Sequence, residues 1–513
     1  MLRLMHTFEG QIIPPAILAA VRTGEIGAFC LFGGKNIASP VHLRELSAAL
    51  HAAAAEGNQP PPLIGIDQEG GQLMAVTGGG LTELPGNMAL GATRSPQLAR
   101  SAGRVLGREL LAMGVNLNFV PCLDVNINPA NPVVGTRSFG DDPALVAELG
   151  VALIEGIQGE GVLASAKHFP GHGDTNADSH FDAPVVEHSR QRIEVVELRP
   201  FRAAIEAGVG AIMSGHVIYP EFDPSAPATL SRAILTDLLR GELGFGGLVL
   251  TDAMDMAAAL RGGVLPSLQM ALNAGVDLVL LAHLPNQMAL DAALANLRNP
   301  ASEARILKAR QAIPRELPAL SLLGSAEHAA IAQEIADQSI TLVRNGQQQL
   351  PLQAGEDETI VVVVPRPANL TPADTSALVQ IALADAIRAR HARTVALELP
   401  RSANDDELAA VLEASRGAAH VIVGTINAGD DPAQVALVEA LRERGDRPLV
   451  ISLRTPYDLA MFPGVETYLC TYSIRPASME AAARVLFGEI PARGLLPCAI
   501  PGIAASGFGL VVA

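Results

Sequence analysis

Gly161-Val-Leu-Ala-Ser-Ala-Lys-His-Phe-Pro-Gly-His-Gly-Asp-Thr-Asn-Ala-Asp-Ser-His180 opens as an apolar run and ends in a crowd of ionisable groups. The uncharged stretch 161–166 predicts a buried strand. Lys167 and His168 stand at its C-terminal end, and His172, Asp174, Asp178 and His180 follow on a loop. Gly171, Gly173 and Pro170 let that loop fold back, so Lys167 and His180 are expected to face one site. A buried strand that delivers reactive side chains to a loop makes an enzyme the leading reading.

The same beat recurs on both sides of this stretch. Short β-rich runs are read at 26–32, 62–66, 115–124, 162–166, 211–214, 247–251 and 276–281. Segments with helical spacing lie between them, such as 143–160 and 190–207. Seven strands alternating with helices predict a parallel α/β architecture, and a (β/α)8 barrel fits the length; the pattern leaves the eighth strand unassigned. Polar residues close these runs one after another: Asp67, Asp124, Lys167 with His168, His216 and Asp252. In a barrel, strand C-termini converge on one mouth, whereas a doubly wound sheet offers one switch point.

Beyond about residue 318 the texture changes. A helix is read at 325–337, then strands at 360–364, 395–399, 420–424 and 448–453 with helical segments between. The expected organisation is a barrel over residues 1–318 followed by a smaller open α/β sandwich domain over 319–513. This second domain carries no G-x-G-x-x-G and no Walker A pattern, so nothing in it signals a nucleotide site, and no cofactor is expected.

Composition narrows the partners. The 513 residues are 49% hydrophobic and 17% charged, which predicts large buried cores. A formal charge of -17 without a basic block predicts no nucleic-acid partner. Aromatic residues make up 3% of the chain and tryptophan is absent, which argues against a long groove floored by stacked indoles. Cys30, Cys122, Cys470 and Cys498 are far apart and read as reduced core residues. The first ten residues lack an apolar signal region, and the uncharged stretch 494–513 is broken by Pro497, Pro501 and glycines. A cytoplasmic protein with no membrane partner is expected; the sequence carries no signal for oligomeric state.

Several residues have chemistry to offer. Asp252, at the end of a very apolar strand, could attack an electrophilic carbon, and a structural carboxylate at the barrel mouth is the alternative. In Asp178-Ser-His180 the carboxylate could orient the imidazole for proton transfer, although loop histidines are more often simply solvated. Lys167 and His168 could bond sugar hydroxyls or pair with neighbouring carboxylates. Arg137 could clamp a polar ligand or pin its loop to Asp141 or Asp142, and Asp67 could accept bonds from vicinal hydroxyls or close a turn. A rival reading takes His168, His172, Asp174, Asp178 and His180 as metal ligands, but their spacing is loose and Lys167 adds an unhelpful positive charge.

The stretch 167–180 resembles the K-H-F-P-G-H-G-D-T-x-x-D-S-H signature of glycoside hydrolase family 3, in its bacterial β-N-acetylhexosaminidase clade. Gly65-Ile-Asp-Gln-Glu-Gly-Gly71, Asn118-Phe-Val-Pro-Cys-Leu-Asp-Val125, Arg137-Ser-Phe-Gly140 and Val249-Leu-Thr-Asp-Ala-Met254 extend the match, and 339–345 with Leu350-Pro-Leu352 is similar to the family's second domain. The resemblance implies a metal-free retaining exo-β-N-acetylglucosaminidase acting on cell-wall or chitin-derived saccharides. It implies Asp252 as nucleophile, His180 as acid/base and Asp178 as its partner. Asp67, Arg137, Lys167 and His168 would hold the sugar, with Asp124 and His216 at strand ends in the same pocket. Phosphorolysis or β-glucosidase activity is the alternative within the family; a metal-dependent hydrolase or a non-catalytic sugar-binding protein is the alternative outside it. One departure stands out: where the family continues E-G-G-R-V-Q-R, this chain reads Glu69-Gly-Gly-Gln-Leu-Met-Ala75, so Gln72 and Ala75 replace arginines that would contact the ligand.

Overall fold

The computed structural model describes residues 3–511. Eight short parallel strands form the first unit: β1 (Leu4–Met5), β2 (Ala28–Cys30), β3 (Leu63–Ile66), β4 (Leu117–Asn118), β5 (Leu163–Phe169), β6 (Ala211–Ser214), β7 (Leu248–Thr251) and β8 (Val279–Leu280). Strands β2 to β7 pair in sequence order. Closure runs through β1, which pairs with β8 (Leu4 opposite Val279) and bridges β2 at His6 and Phe29, while Leu250 bridges Leu278. The expected barrel is therefore present, and its missing strand is β1. Arg3 and His6 flank an apolar pair too short to read as a strand, yet Leu4 and Met5 are fully buried.

Two expectations about local structure change. The run 115–124 is strand only over β4; Pro121 lacks an N–H for a ladder, and the chain continues extended to Asp124 with a single bridge from Cys122 to Lys167. The segment 190–207 forms two helices, Arg190–Val195 and Leu198–Glu206. A proline ring clashes with the carbonyl four residues earlier, here that of Val196, so Pro200 keeps the first helix from running past Val195.

The second unit is a six-stranded sheet with strands β9 (Thr341–Asn345), β10 (Ile360–Pro365), β11 (Thr394–Leu399), β12 (His420–Thr425), β13 (Leu449–Ser452) and β14 (Thr467–Cys470). Their order is β9-β14-β13-β12-β10-β11, parallel except for the edge strand β9. β14, which the sequence reading leaves unassigned, lies inside this sheet between β9 and β13 with all four residues buried. Separate apolar clusters cover its two faces, one around Val361, Val423 and Val450, the other around Ile360, Ile422 and Ile451. This is the expected α/β sandwich.

The C-terminal edge of the second sheet faces the barrel. Arg475, 1% exposed, donates to the Gly71 carbonyl at 2.7 Å and pairs with Glu83 at 2.9 Å. Asn126 donates to the Tyr457 hydroxyl at 2.9 Å. The uncharged C-terminal stretch buries Leu496, Cys498 and Ile500 and crosses back to the barrel, where Asp141 accepts from the Ala499 N–H at 2.7 Å. Val512 and Ala513 at its end, like Met1 and Leu2, lie outside the described residues. No helix among the described residues is long and apolar enough to cross a membrane. Arg475→Met is expected to lower stability by about 2–4 kcal/mol, read as an earlier urea midpoint, because it orphans a buried carbonyl and Glu83. An unchanged midpoint would mean that the units are held together elsewhere.

Candidate active site

The barrel's C-terminal mouth holds a cavity of about 410 Å³. Asp67, Arg137, Lys167, His168, His180 and Asp252 all line it. Six of the nine site residues expected from sequence are thus brought together. A bulge interrupts β5 between Ala166 and Phe169, and bulges re-aim side chains, so the consecutive residues Lys167 and His168 both reach the cavity.

The polar wall is built on a residue missed in the sequence. Glu69, fully enclosed, pairs with the Lys167 ammonium at 2.7 Å and accepts two donors of the Arg137 guanidinium at 2.8 and 3.0 Å. Burial alone would raise its pKa, but the two cations outweigh burial and hold it down at about 2. By the same balance Lys167, which also pairs with Asp67 at 2.6 Å, is pushed up to about 12. The signal lay in Asp67-Gln-Glu-Gly-Gly71, where Gly71 takes φ 57° and turns the chain back into a small hairpin of Gln68–Gly70 and Leu73–Met74.

Asp124 and His216 lie behind the cavity wall. Asp124, fully buried, accepts from His168 Nδ1 at 2.7 Å and from the backbone N–H of His172 at 2.6 Å. Burial raises its pKa, yet His168 beside it holds it well below the usual carboxylate range. Asp124 therefore fixes the His168 ring and the start of the loop and leaves Nε2 facing the cavity. His216, also fully buried, sits 3.0 Å from the Ala253 carbonyl through Nε2 and 2.8 Å from Thr229 Oγ1 through Nδ1. A carbonyl only accepts, so Nε2 carries the proton, and burial lowers the pKa and keeps the ring neutral. Both residues position their neighbours and neither touches the cavity.

Asp252 follows β7 and is partly open to the cavity. Its Oδ1 accepts from the Ala253 N–H at 2.7 Å, while Oδ2 lies 3.9 Å from His168 Nε2. Burial would raise its pKa, but the neighbouring histidines, His168 first, and the Ala253 N–H hold it at about 2, so the carboxylate is anionic.

Above it runs the loop 171–182. Gly173 is packed so closely that a Cβ there would meet the Val125 carbonyl at 1.9 Å. His172 bonds Thr175 at 2.8 Å and Ser179 at 3.0 Å, and burial lowers its pKa to about 4. Backbone N–H groups of Ala257 and Ala258 donate to the His180 and Ser179 carbonyls at 3.3 and 3.4 Å, which docks the loop beside Asp252. Asp178 Oδ1 accepts both the His180 N–H at 2.9 Å and Nδ1 at 2.6 Å. Burial would lower the His180 pKa, but the Asp178 hydrogen bond and the Asp252 charge raise it. The five residues of the metal reading scatter to other partners: His168 to Asp124, His172 to Thr175 and Ser179, Asp174 to His188 at 2.5 Å, and Asp178 to His180. The ligand-type atoms of Cys122, Asp124 and His168 do lie together, but as a thiol and an imidazole donating to one carboxylate.

A model of the glycosyl hydrolase family 3 N terminal domain matches residues 14–315. Beta-hexosaminidase A of Pseudoalteromonas piscicida is 32% identical over 95% of this chain and 91% of its own. The chain belongs to glycosyl hydrolase family 3. A family 3 β-N-acetylglucosaminidase structure from Paenibacillus sp. superposes with a TM-score of 0.90 at 36% identity, covering 97% of both chains. A beta-glucoside phosphorylase, BglX, superposes with a TM-score of 0.75 at 25% identity, covering 92% of this chain and 89% of its own.

In this glycoside hydrolase the two departures at 72 and 75 have different consequences. Gln72 points away from the cavity: its side chain accepts from Thr136 at 2.6 Å and donates to the Ala373 carbonyl at 3.2 Å, and its carbonyl takes the Thr375 N–H at 2.8 Å. The expectation that position 72 would meet the ligand is thus corrected; it holds the second unit. Through it Pro372, Ala373 and Thr375 become part of the cavity lining, and a buried Asp374–Arg454 pair at 2.6 Å braces them. Ala75 does line the cavity, so its small side chain leaves that wall open.

Glu69→Gln is expected to cost about 3–5 kcal/mol in urea unfolding, since two buried cations lose their counter-charge. A loss below about 1 kcal/mol would show that Asp67 suffices. NMR titration of His180 is expected to give a pKa above that of an unperturbed histidine, falling in Asp178→Asn; a value that does not move would rule out Asp178 as the group that raises it.

Proposed function

We propose that this glycoside hydrolase is a retaining exo-β-N-acetylglucosaminidase that removes terminal β-linked N-acetylglucosamine from chitin- or cell-wall-derived saccharides. The observation that carries the reading is His180, oriented by Asp178, lining the same cavity as Asp252, within a chain whose similar proteins are named beta-hexosaminidase and β-N-acetylglucosaminidase. Asp67, Arg137, Lys167 and His168 bind the hydroxyls of the terminal sugar. Asp252 Oδ1 is held by the Ala253 N–H, which leaves Oδ2 to attack the anomeric carbon.

His180 keeps Nδ1–H on Asp178 and works through Nε2. Protonated, it gives the Nε2 proton to the departing glycosidic oxygen while Asp252 forms the glycosyl ester. Neutral, it takes a proton from the water that opens the ester, and the carboxylate of Asp252 is released. Its raised pKa keeps the acid form available at higher pH. The four cysteines, all free and buried, suit the reducing cytoplasm.

A neutral imidazole after the first step carries no negative charge to repel an anionic acceptor, which favours phosphate in place of water as the second reading. The test is turnover of the nitrophenyl β-N-acetylglucosaminide and β-glucoside, with and without phosphate and EDTA. Hydrolysis of the N-acetyl substrate, indifferent to both additions, is expected. Sugar 1-phosphate formed only with phosphate would make the enzyme a phosphorylase; loss of activity in EDTA, or activity on the glucoside alone, would overturn the proposal. Asp252→Ala should abolish turnover, and His180→Ala should lower it about 10²–10⁴-fold on disaccharides, whose leaving groups need the proton. Near-normal disaccharide rates in either variant would sink the residue assignment.

A further inference from the structure

The charged residues that line the cavity from β3 to β5 account for one side of it. β1 stands opposite β5 in a ring of eight strands, and its neighbours β8 and β2 send a second group of side chains to the same cavity: Phe32, Lys35 and His283, joined by Asp255 from beyond β7. The rings of Phe32 and His283 lie 4.7 Å apart at 36° and make one tilted platform. Lys35 Nζ is 2.9 Å from His283 Nδ1. An ammonium only donates, so Nδ1 accepts and the ring carries its proton on Nε2. Among the described residues no hydrogen bond takes that Nε2–H. The Asp255 carboxylate stands alongside and accepts from the backbone N–H of His283 at 3.3 Å. Lys35 also pairs with Glu9 at 2.7 Å, so its charge is already balanced.

An apolar ring face flanked by one N–H donor and one carboxylate acceptor suits a pyranose, whose C–H face stacks and whose hydroxyls both donate and accept. It does not suit an anion, since the nearby cation is paired and a carboxylate is adjacent. The chain has only 13 phenylalanines and no tryptophan, and Phe32 is half-buried: it packs against the barrel-interior cluster and still presents its ring to the cavity, with the exposed His283 ring against it. Ala75 leaves the wall beside it open, and the cavity is larger than one hexose requires.

We propose that Phe32 and His283, with Asp255, form the subsite for the sugar that bears the departing oxygen, so that they set the preference for saccharide over small leaving groups. This rests on the function proposed above. The test compares kcat and KM for N,N'-diacetylchitobiose with those for methyl β-N-acetylglucosaminide, whose leaving group is too small to reach the platform. His283→Ala changes an exposed residue, and Phe32→Leu keeps the apolar volume while removing the flat face. Each is expected to lower the disaccharide-to-methyl ratio of kcat/KM about tenfold, through KM for the disaccharide. A ratio that stays at the wild-type value in both variants overturns the proposal. So does a loss shared equally by both substrates, which would make the platform a support for the terminal sugar or its acetamido group. Wild-type enzyme inactive on both substrates would overturn the underlying function and this subsite with it, whereas an active enzyme with an unmoved ratio overturns the subsite alone.

Discussion

A carboxylate enclosed with two cations holds this site in shape. Without Glu69, Arg137 and Lys167 would be like charges sealed in a poorly solvated wall; with it, each is fixed in direction and keeps its charge. Lys167 lies at the end of β5, Arg137 on the loop after β4 and Glu69 on the hairpin after β3, so one side chain ties three strand ends together. Asp124 does the equivalent for the histidines: it orients the His168 ring and holds the backbone from which the loop departs. Reactive groups facing the cavity are thus held by buried charges a layer below them. Such placement costs stability unless every charge is paired, and here it is.

The loop that carries His180 is held by hydrogen bonds and by one close backbone approach at Gly173, with little apolar burial. Phe181 beside His180 is 73% exposed. His172 is kept neutral by burial and spends both ring nitrogens on Thr175 and Ser179. It braces the loop internally, while Asp178 gives the adjacent imidazole its direction. Two histidines eight residues apart therefore have opposite electrostatic character, one lowered by enclosure and one raised by a carboxylate partner.

Much of this was legible in the chain, and the exceptions have causes. Strand ends closing in Asp67, Lys167, His168 and Asp252 gave the barrel mouth, since an apolar run that breaks into charge marks the point where a buried strand leaves the core. β1 and β14 escaped notice because a strand of two residues, or one reading Thr-Tyr-Leu-Cys between loops, carries no periodicity. Glu69 was hidden for a different reason: sequence shows that a charge exists, but burial and pairing are set by chain segments 68 to 98 residues away. Depth is likewise invisible, so Asp124 and His216 read the same as Asp67 until the fold puts them one layer lower. Gln72 shows the converse error, in which a residue judged by what its counterpart elsewhere would touch proves to point at another part of the chain.

In the second sheet the strand order reverses between β10 and β12, and an open α/β sheet with such a reversal has a crevice at its C-terminal edge where ligands ordinarily bind. Here Gln72 and Thr136 enter that edge among Ala368, Ser376, Ile426 and Leu453, and the remaining space is about 20 Å³, room for a single water. The crevice has become a socket, and the barrel's hairpin is the plug. A fold that could have served as an independent receptor has given up its vacancy to act as masonry for its neighbour's chamber.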